Sequence, residues 1–91
     1  MNMRFEWNAA KHAKNLRERG IGFDDGAKIF VGRVVVWRDE RQDYGEARFR
    51  AVGISEGVPM HVAYTVRAGA IRIISIRRAN RKEFAAWQSQ D

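Results

Sequence analysis

Residues 58–78 read VPMHVAYTVRAGAIRIISIRR, and the spacing of apolar positions in this stretch decides the fold. Val58, Met60, Val62, Tyr64 and Val66 fall at every second position, as in a strand with one buried face. Ala68-Gly69 signals a tight turn. Ile71, Ile73, Ile74 and Ile76 follow and are apolar on both faces near the middle, which predicts a central strand. Two strands joined by so short a turn form an antiparallel hairpin.

Upstream of the hairpin, Ser55-Glu56-Gly57 is a second turn signal. Arg48-Phe49-Arg50-Ala51 alternates charged and apolar residues as a half-buried strand does, and Val34-Val35-Val36-Trp37 is β-branched and aromatic. At the other end of the hairpin, Asn80 with Glu83 three residues on predicts a capped helix, and Phe84 and Trp87 share one of its faces. Near the start, Met3 to Trp7 suits a short strand with Phe5 inward. Asn8 then caps a helix from Ala9 to about Arg19, with Ala9, Ala13 and Leu16 on one face and Gly20 at its end. A second short helix begins near Gly22, with Asp24 and Asp25 in its first turn, Phe23, Ala27 and Phe30 toward the core, and Gly32 closing it. Consecutive strands with short turns predict an α+β fold: an antiparallel sheet of about four to five strands with two N-terminal helices and one C-terminal helix packed on it.

A chain of 91 residues with 45% hydrophobic content suits one domain over residues 1–91, because halves near about 40 residues would each need disulfides or metals to hold a core. With no cysteine, disulfide scaffolds, thiolate zinc sites and cysteine nucleophiles are excluded, which fits a reducing cytoplasm. The start, MNMRFEWNAAKHAKN, has no apolar core of signal-peptide length, and the chain is read as soluble and intracellular.

The net charge is +6, and it is uneven. No acid lies between Glu56 and Glu83, a span holding Arg67, Arg72, Arg77, Arg78, Arg81 and Lys82. Such a field favours a polyanion or an acidic protein, or is simply a solvated basic face. His12 and His61 lie far apart with no carboxylate at ligand spacing and are read as packing or surface histidines; a base needs an orienting partner, which the sequence does not reveal. Asp39, Glu40, Asp43 and Glu46 read as a solvated loop rather than a metal site. No phosphate loop, nucleophile elbow or zinc-protease signature occurs, so nucleotide cofactors have no support.

The hairpin brings Tyr64, Arg67, Arg72 and Arg77 near one another. By strand alternation Arg72 shares a face with Arg78, and Arg77 with Ser75; which of them joins Arg67 depends on register. Guanidinium groups match phosphate oxygens and stabilise charge developing in phosphoryl transfer. The same arginines could instead pair with the acids of Asp39 to Glu46 and hold the sheet together.

These residues carry a resemblance. Phe5-Glu6-Trp7-Asn8 with Lys11 and Asn15, then Gly20, Phe23, Ala27 and Phe30, then Asp39, Glu46 and Arg48, then Gly53, Ser55 and Gly57, and above all Tyr64-Thr65, Arg67, Ile71 to Ser75, Arg77 and Ala79, resemble the BrnT toxins of type II toxin–antitoxin systems. The resemblance implies a RelE-like fold, cleavage of RNA without a metal or other cofactor, inhibition of translation and growth, a neutralising BrnA-type antitoxin, and operator DNA contacted only through the antitoxin complex. On it the candidate catalytic residues are Arg67, Arg72, Arg77 and Tyr64, and the substrate-binding candidates Lys11, Arg48, Arg78 and Trp7. The chain departs from the family pattern between Asp39 and Glu46, where relatives usually carry a histidine. That motivates a second reading, a catalytically inactive module that docks an antitoxin and acts in operon autoregulation. Direct DNA binding by the chain alone has little support, since no helix-turn-helix appears.

Overall fold

The two hairpin turns set the sheet. In the computed structural model, which describes residues 3–89, Glu56-Gly57 and Ala68-Gly69 both adopt left-handed backbone, with φ of 48° and 82° in the first and 50° and 79° in the second. Two successive positive φ values make the primed turn that matches the twist of a hairpin, and glycine takes its second place without steric cost. Around these turns lie β3 (Phe49–Ser55), β4 (Val58–Arg67) and β5 (Ala70–Arg78). β2 (Val35–Arg38) adds on β3, and β1 (Arg4–Trp7) lies beside β5, giving the order β1-β5-β4-β3-β2.

β1 runs parallel to β5, so the sheet is mixed rather than antiparallel throughout. The physical reason lies in the connection. β1 is followed by α1 (Ala9–Arg19), α2 (Phe23–Lys28) and a 3-10 turn (Ile29–Val31) before β2 begins. A helical excursion of that length frees β1 from hairpin geometry.

The core lies between the sheet and α2. Met60, Val62 and Tyr64 from β4, Ile73 and Ile76 from β5 and Ala51 from β3 pack against Ile21, Phe23 and Ile29. Ile29, fully buried, sits at its centre. A Cβ on Gly26 would already stand 3.2–3.3 Å from Ile76, Ile73 and Val62, so α2 rests directly on the sheet.

α1 docks differently from expectation. Leu16 is 49% exposed and Ala9 and Ala13 face solvent. The contacts are polar: Asn15 Nδ2 donates to the Ile21 carbonyl (2.7 Å), and His12 Nδ1 accepts from the Phe23 amide (2.9 Å) while its ring stacks on Trp7. A Cβ at Gly22 would lie 2.6 Å from that imidazole, so a glycine is required where α2 begins. α3 (Arg81–Gln88) lies on the opposite face of the sheet, capped by Asn80 and Glu83 as the sequence predicts. Its last turn is tied to the loop before β2: Arg33 Nη1 donates to the Trp87 carbonyl and Trp87 Nε1 to the Arg33 carbonyl. No described helix is long and apolar enough to cross a membrane.

Candidate functional site

An extra residue in β5 determines which arginines meet. Tyr64 pairs with Ile73 and Ala63 with Ser75, leaving Ile74 as a bulge. Cross-strand partners share a face. Arg67, Thr65, Ala63 and His61 of β4 therefore stand with Ala70, Arg72, Ser75 and Arg77 of β5 on the side away from α2. Arg78 pairs with Met60 and joins the other face. The expected pairing of Arg72 with Arg78 is thus overturned, because the bulge resets the alternation. Arg50, opposite Ala63, adds a fourth arginine to the same face.

Three of the four are ion-paired. Arg67 Nη2 lies 3.1 Å from Glu46, Arg72 Nη1 3.5 Å from Glu6, and Arg77 meets Glu83 through two bonds of 2.8 Å. Of the Asp39–Glu46 acids, only Glu46 takes up a hairpin arginine. Arg50 has no carboxylate within 4 Å among the described residues; its guanidinium sits 5.4 Å from the Trp37 ring centre, and its Nε is buried without a hydrogen-bond partner.

Beside Arg50 opens a cleft of about 420 Å³ lined by Trp37, Arg50, Asn80, Lys82, Glu83 and Ala86. Glu83 is its most constrained wall. Besides Arg77 it accepts from the Asn80 amide at 2.9 Å, and the Arg77 bonds, aided by that amide and offset by burial, pull its carboxyl down to about 2. The pairing correspondingly raises Arg77, which stays charged. Next to Glu83 lies His61, 5% exposed, with Nε2 3.9 Å from Glu83 Oε2 and neither ring nitrogen hydrogen-bonded. Burial, then the charges of Arg77, Arg50 and Arg41, push its pKa down against the opposing pull of Glu83. A carboxylate held ionised and a cation without a counter-ion thus line one cleft, with an imidazole held neutral buried behind the carboxylate, an arrangement able to bind an anion and to accept a proton.

The other predicted residues lie elsewhere. Tyr64 is 8% exposed, edge-on to Phe30 and stacked on Phe49, on the core face opposite the arginines; burial raises its pKa. It is a packing residue and not a neighbour of Arg67, Arg72 and Arg77. Trp7 packs on the same core side. Lys11 lies on exposed α1, lining a separate groove with Lys14 and Ile74. Arg48 stands 4.3 Å over the Tyr44 ring and 3.4 Å from Glu46. Asp39 is locked by Arg41 and the Tyr44 hydroxyl, well below the ordinary carboxylate range, as an organiser of its loop. Among the described residues no group of three His, Asp or Glu is gathered as a metal site.

The family model described as "Ribonuclease toxin, BrnT, of type II toxin-antitoxin system" matches residues 7–83, most of the chain and all of β2 to β5. The chain belongs to the BrnT toxin family. Its family is thus one of ribonuclease toxins that work with an antitoxin. A search of curated proteins returns no match.

In this BrnT chain, sequence reasoning missed Arg50, His61 and Glu83 as site residues. The signal for two of them was present. Alternation in β4 that sends Met60, Val62 and Tyr64 inward sends His61 to the face of Arg67, and Arg50 alternates with Phe49 and Ala51 in the same way. Nothing local to Glu83 separates its cap role from its contact with Arg77 and His61, which arises only when α3 folds across the sheet.

Proposed function

We propose that this BrnT chain is a RelE-like endoribonuclease that cleaves RNA without a metal ion, inhibits translation and growth, and is neutralised by a BrnA-type antitoxin through which alone it contacts operator DNA. The observation that carries the reading is the shared face of Arg50, Arg67, Arg72 and Arg77 beside the cleft under α3. Arg50, with no counter-ion, takes a non-bridging phosphate oxygen. Arg77, already oriented by Glu83, and Arg72 stabilise the charge that grows on the phosphate as the neighbouring 2′-hydroxyl attacks it. Trp37 offers an aromatic surface for a base. Tyr64 has no part in this scheme.

The test is induction in cells lacking the antitoxin, with Arg50→Ala and Arg77→Ala variants shown to fold. Growth arrest and RNA loss with the wild type, weakened by both substitutions, support the reading. Arrest that neither substitution weakens removes the site.

One observation favours the second reading, an inactive docking module: Arg67, Arg72 and Arg77 are each already paired with a carboxylate of this chain. Wild-type expression that stays harmless while the antitoxin still binds would select it.

A further inference from the structure

We propose that His61 is the terminal proton acceptor of the cleavage step, reached through the Glu83 carboxylate that walls the cleft. The inference rests on the ribonuclease reading above and adds to it the residue that takes the proton.

A 2′-hydroxyl attacking phosphate must lose its proton, and a base that works near neutrality must itself be unprotonated there yet hold a proton once it has one. Arginine and ordinary lysine fail the first condition. Glu83 touches the cleft, but a carboxyl drawn to about 2 by Arg77 holds a proton poorly. His61 meets both conditions. It is buried and neutral, and its Nε2 faces Glu83 Oε2 at 3.9 Å, a gap that a small side-chain shift or one ordered water closes on binding. The groups around it are set for a transfer. Arg77 from β5, Arg50 from β3 and Arg41 from the loop after β2 keep it neutral beforehand, and Glu83 from α3 stabilises the imidazolium afterwards. Two unpartnered ring nitrogens in a residue this buried are unusual, since buried polar groups are nearly always hydrogen-bonded.

The step balances without a co-reactant. The O2′–H bond breaks as the O2′–P bond forms; that proton passes to the ionised Glu83 carboxylate and from it to the neutral His61 Nε2. The P–O5′ bond breaks and its electrons leave on O5′, which takes a proton from water; the hydroxide so formed takes back the proton held on the His61 imidazolium, which restores the water and the neutral ring. The products are a 2′,3′-cyclic phosphate and a 5′-hydroxyl. His61 touches Glu83 and not the RNA, so it is a positioning and proton-holding residue.

Two measurements on the whole protein test this. NMR titration of the imidazoles should show His61 titrating below its ordinary 6.5, and lower again in Glu83→Gln, where the carboxylate facing it is gone. A His61 curve that Glu83→Gln leaves in place overturns the coupling. Then cleavage of mixed-sequence single-stranded RNA and of ribosome-bound messenger is followed across pH for the wild type and His61→Asn. The variant should lose about 100-fold in rate and its acidic limb, while binding 2′-O-methyl RNA as the wild type does. His61→Asn that keeps rate and acidic limb overturns the relay and leaves the ribonuclease reading standing. A wild type inert on both substrates overturns the ribonuclease reading and the relay with it, whatever the titration gives. If His61→Asn does not fold, the wild type alone decides: an acidic limb whose midpoint departs from the NMR curve of His61 overturns the proposal.

Discussion

Replacing Glu83 by glutamine removes one charge from the carboxylate that ties α3 to β5, and its cost can be worked out from the contacts. The carboxylate accepts two bonds from Arg77 and one from the Asn80 amide and is only 12% exposed. Its displacement from 4.5 to about 2 corresponds, at about 1.4 kcal/mol for each tenfold change in proton affinity, to roughly 3 kcal/mol at neutral pH. Arg77 is 41% exposed and recovers solvation once released, so screening lowers the expected loss to about 2 kcal/mol. In a chain of this size that is about 10 °C in Tm. The pH dependence follows from the sign of the displacement. Above pH 4.5 Glu83 is ionised both folded and unfolded, and its full contribution is present. Between 4.5 and about 2 the unfolded chain takes up the proton first, and stability drains away; near 2 the folded group protonates too. Urea denaturation of wild type and Glu83→Gln at matched pH isolates this group, because every other carboxylate is common to both. The difference should be largest near neutrality and shrink toward zero near pH 2. A difference that is negligible at pH 7, or that persists undiminished in acid, refutes the reasoning.

Other outcomes are as specific. Gly53→Ala would place a Cβ 2.9 Å from Ile29 Cβ and 3.0 Å from Val34; both are packed, so urea melts should show a loss of about 1–3 kcal/mol. Tyr64→Phe should leave growth arrest and RNA cleavage unchanged, since the ring packs between Phe30 and Phe49; a selective loss of cleavage would restore Tyr64 to the site. Affinity for uncleavable single-stranded RNA should fall with salt, the logarithmic slope being about −0.7 per phosphate neutralised and so about −3 if all four arginines engage. A slope near zero would mean that Glu6, Glu46 and Glu83 keep their arginines, which favours the docking module.

The element order was legible in the sequence because it depends on local chemistry. Asn8 and Gly20 bound α1, Asn80 and Glu83 start α3, and the two turns ending in Gly57 and Gly69 fix the hairpins. What escaped depends on distant partners. The parallel seating of β1 is decided by how α1 and α2 return the chain to the sheet. Ile29 becomes the centre of the core because the 3-10 turn drops it onto Gly53. The apolar residues of α1 mislead because its contacts run through His12 and Asn15. In the candidate site, three of four arginines were legible as a basic hairpin and Arg50 and His61 could have been placed by alternation, whereas the common face of Arg72 and Arg77 and the contact of His61 with Glu83 required tertiary structure.

The decisive irregularity is one residue long. Strict alternation through Arg72-Ile73-Ile74-Ser75-Ile76-Arg77 would send Arg72 and Arg77 to opposite faces; the bulge at Ile74 sends both to the same one while keeping Ile71, Ile73 and Ile76 toward the core. An in-strand deletion normally turns every later side chain to the wrong face. Deleting Ile74 should not, because Ile73 and Ser75 would then become neighbours opposite Tyr64 and Ala63, already adjacent in β4. The variant should fold cooperatively, losing only the partly buried Ile74 side chain and the local twist of the bulge. Deleting Val52 from β3 makes the contrast. That residue is fully buried in an unbulged register, and its loss displaces Gly53 from its place against Ile29. Far-ultraviolet circular dichroism and urea melts of the two deletions decide the matter: a deletion of Ile74 as unfolded as that of Val52 would show that the bulge does not set the faces of β5, and the shared arginine face would need another cause.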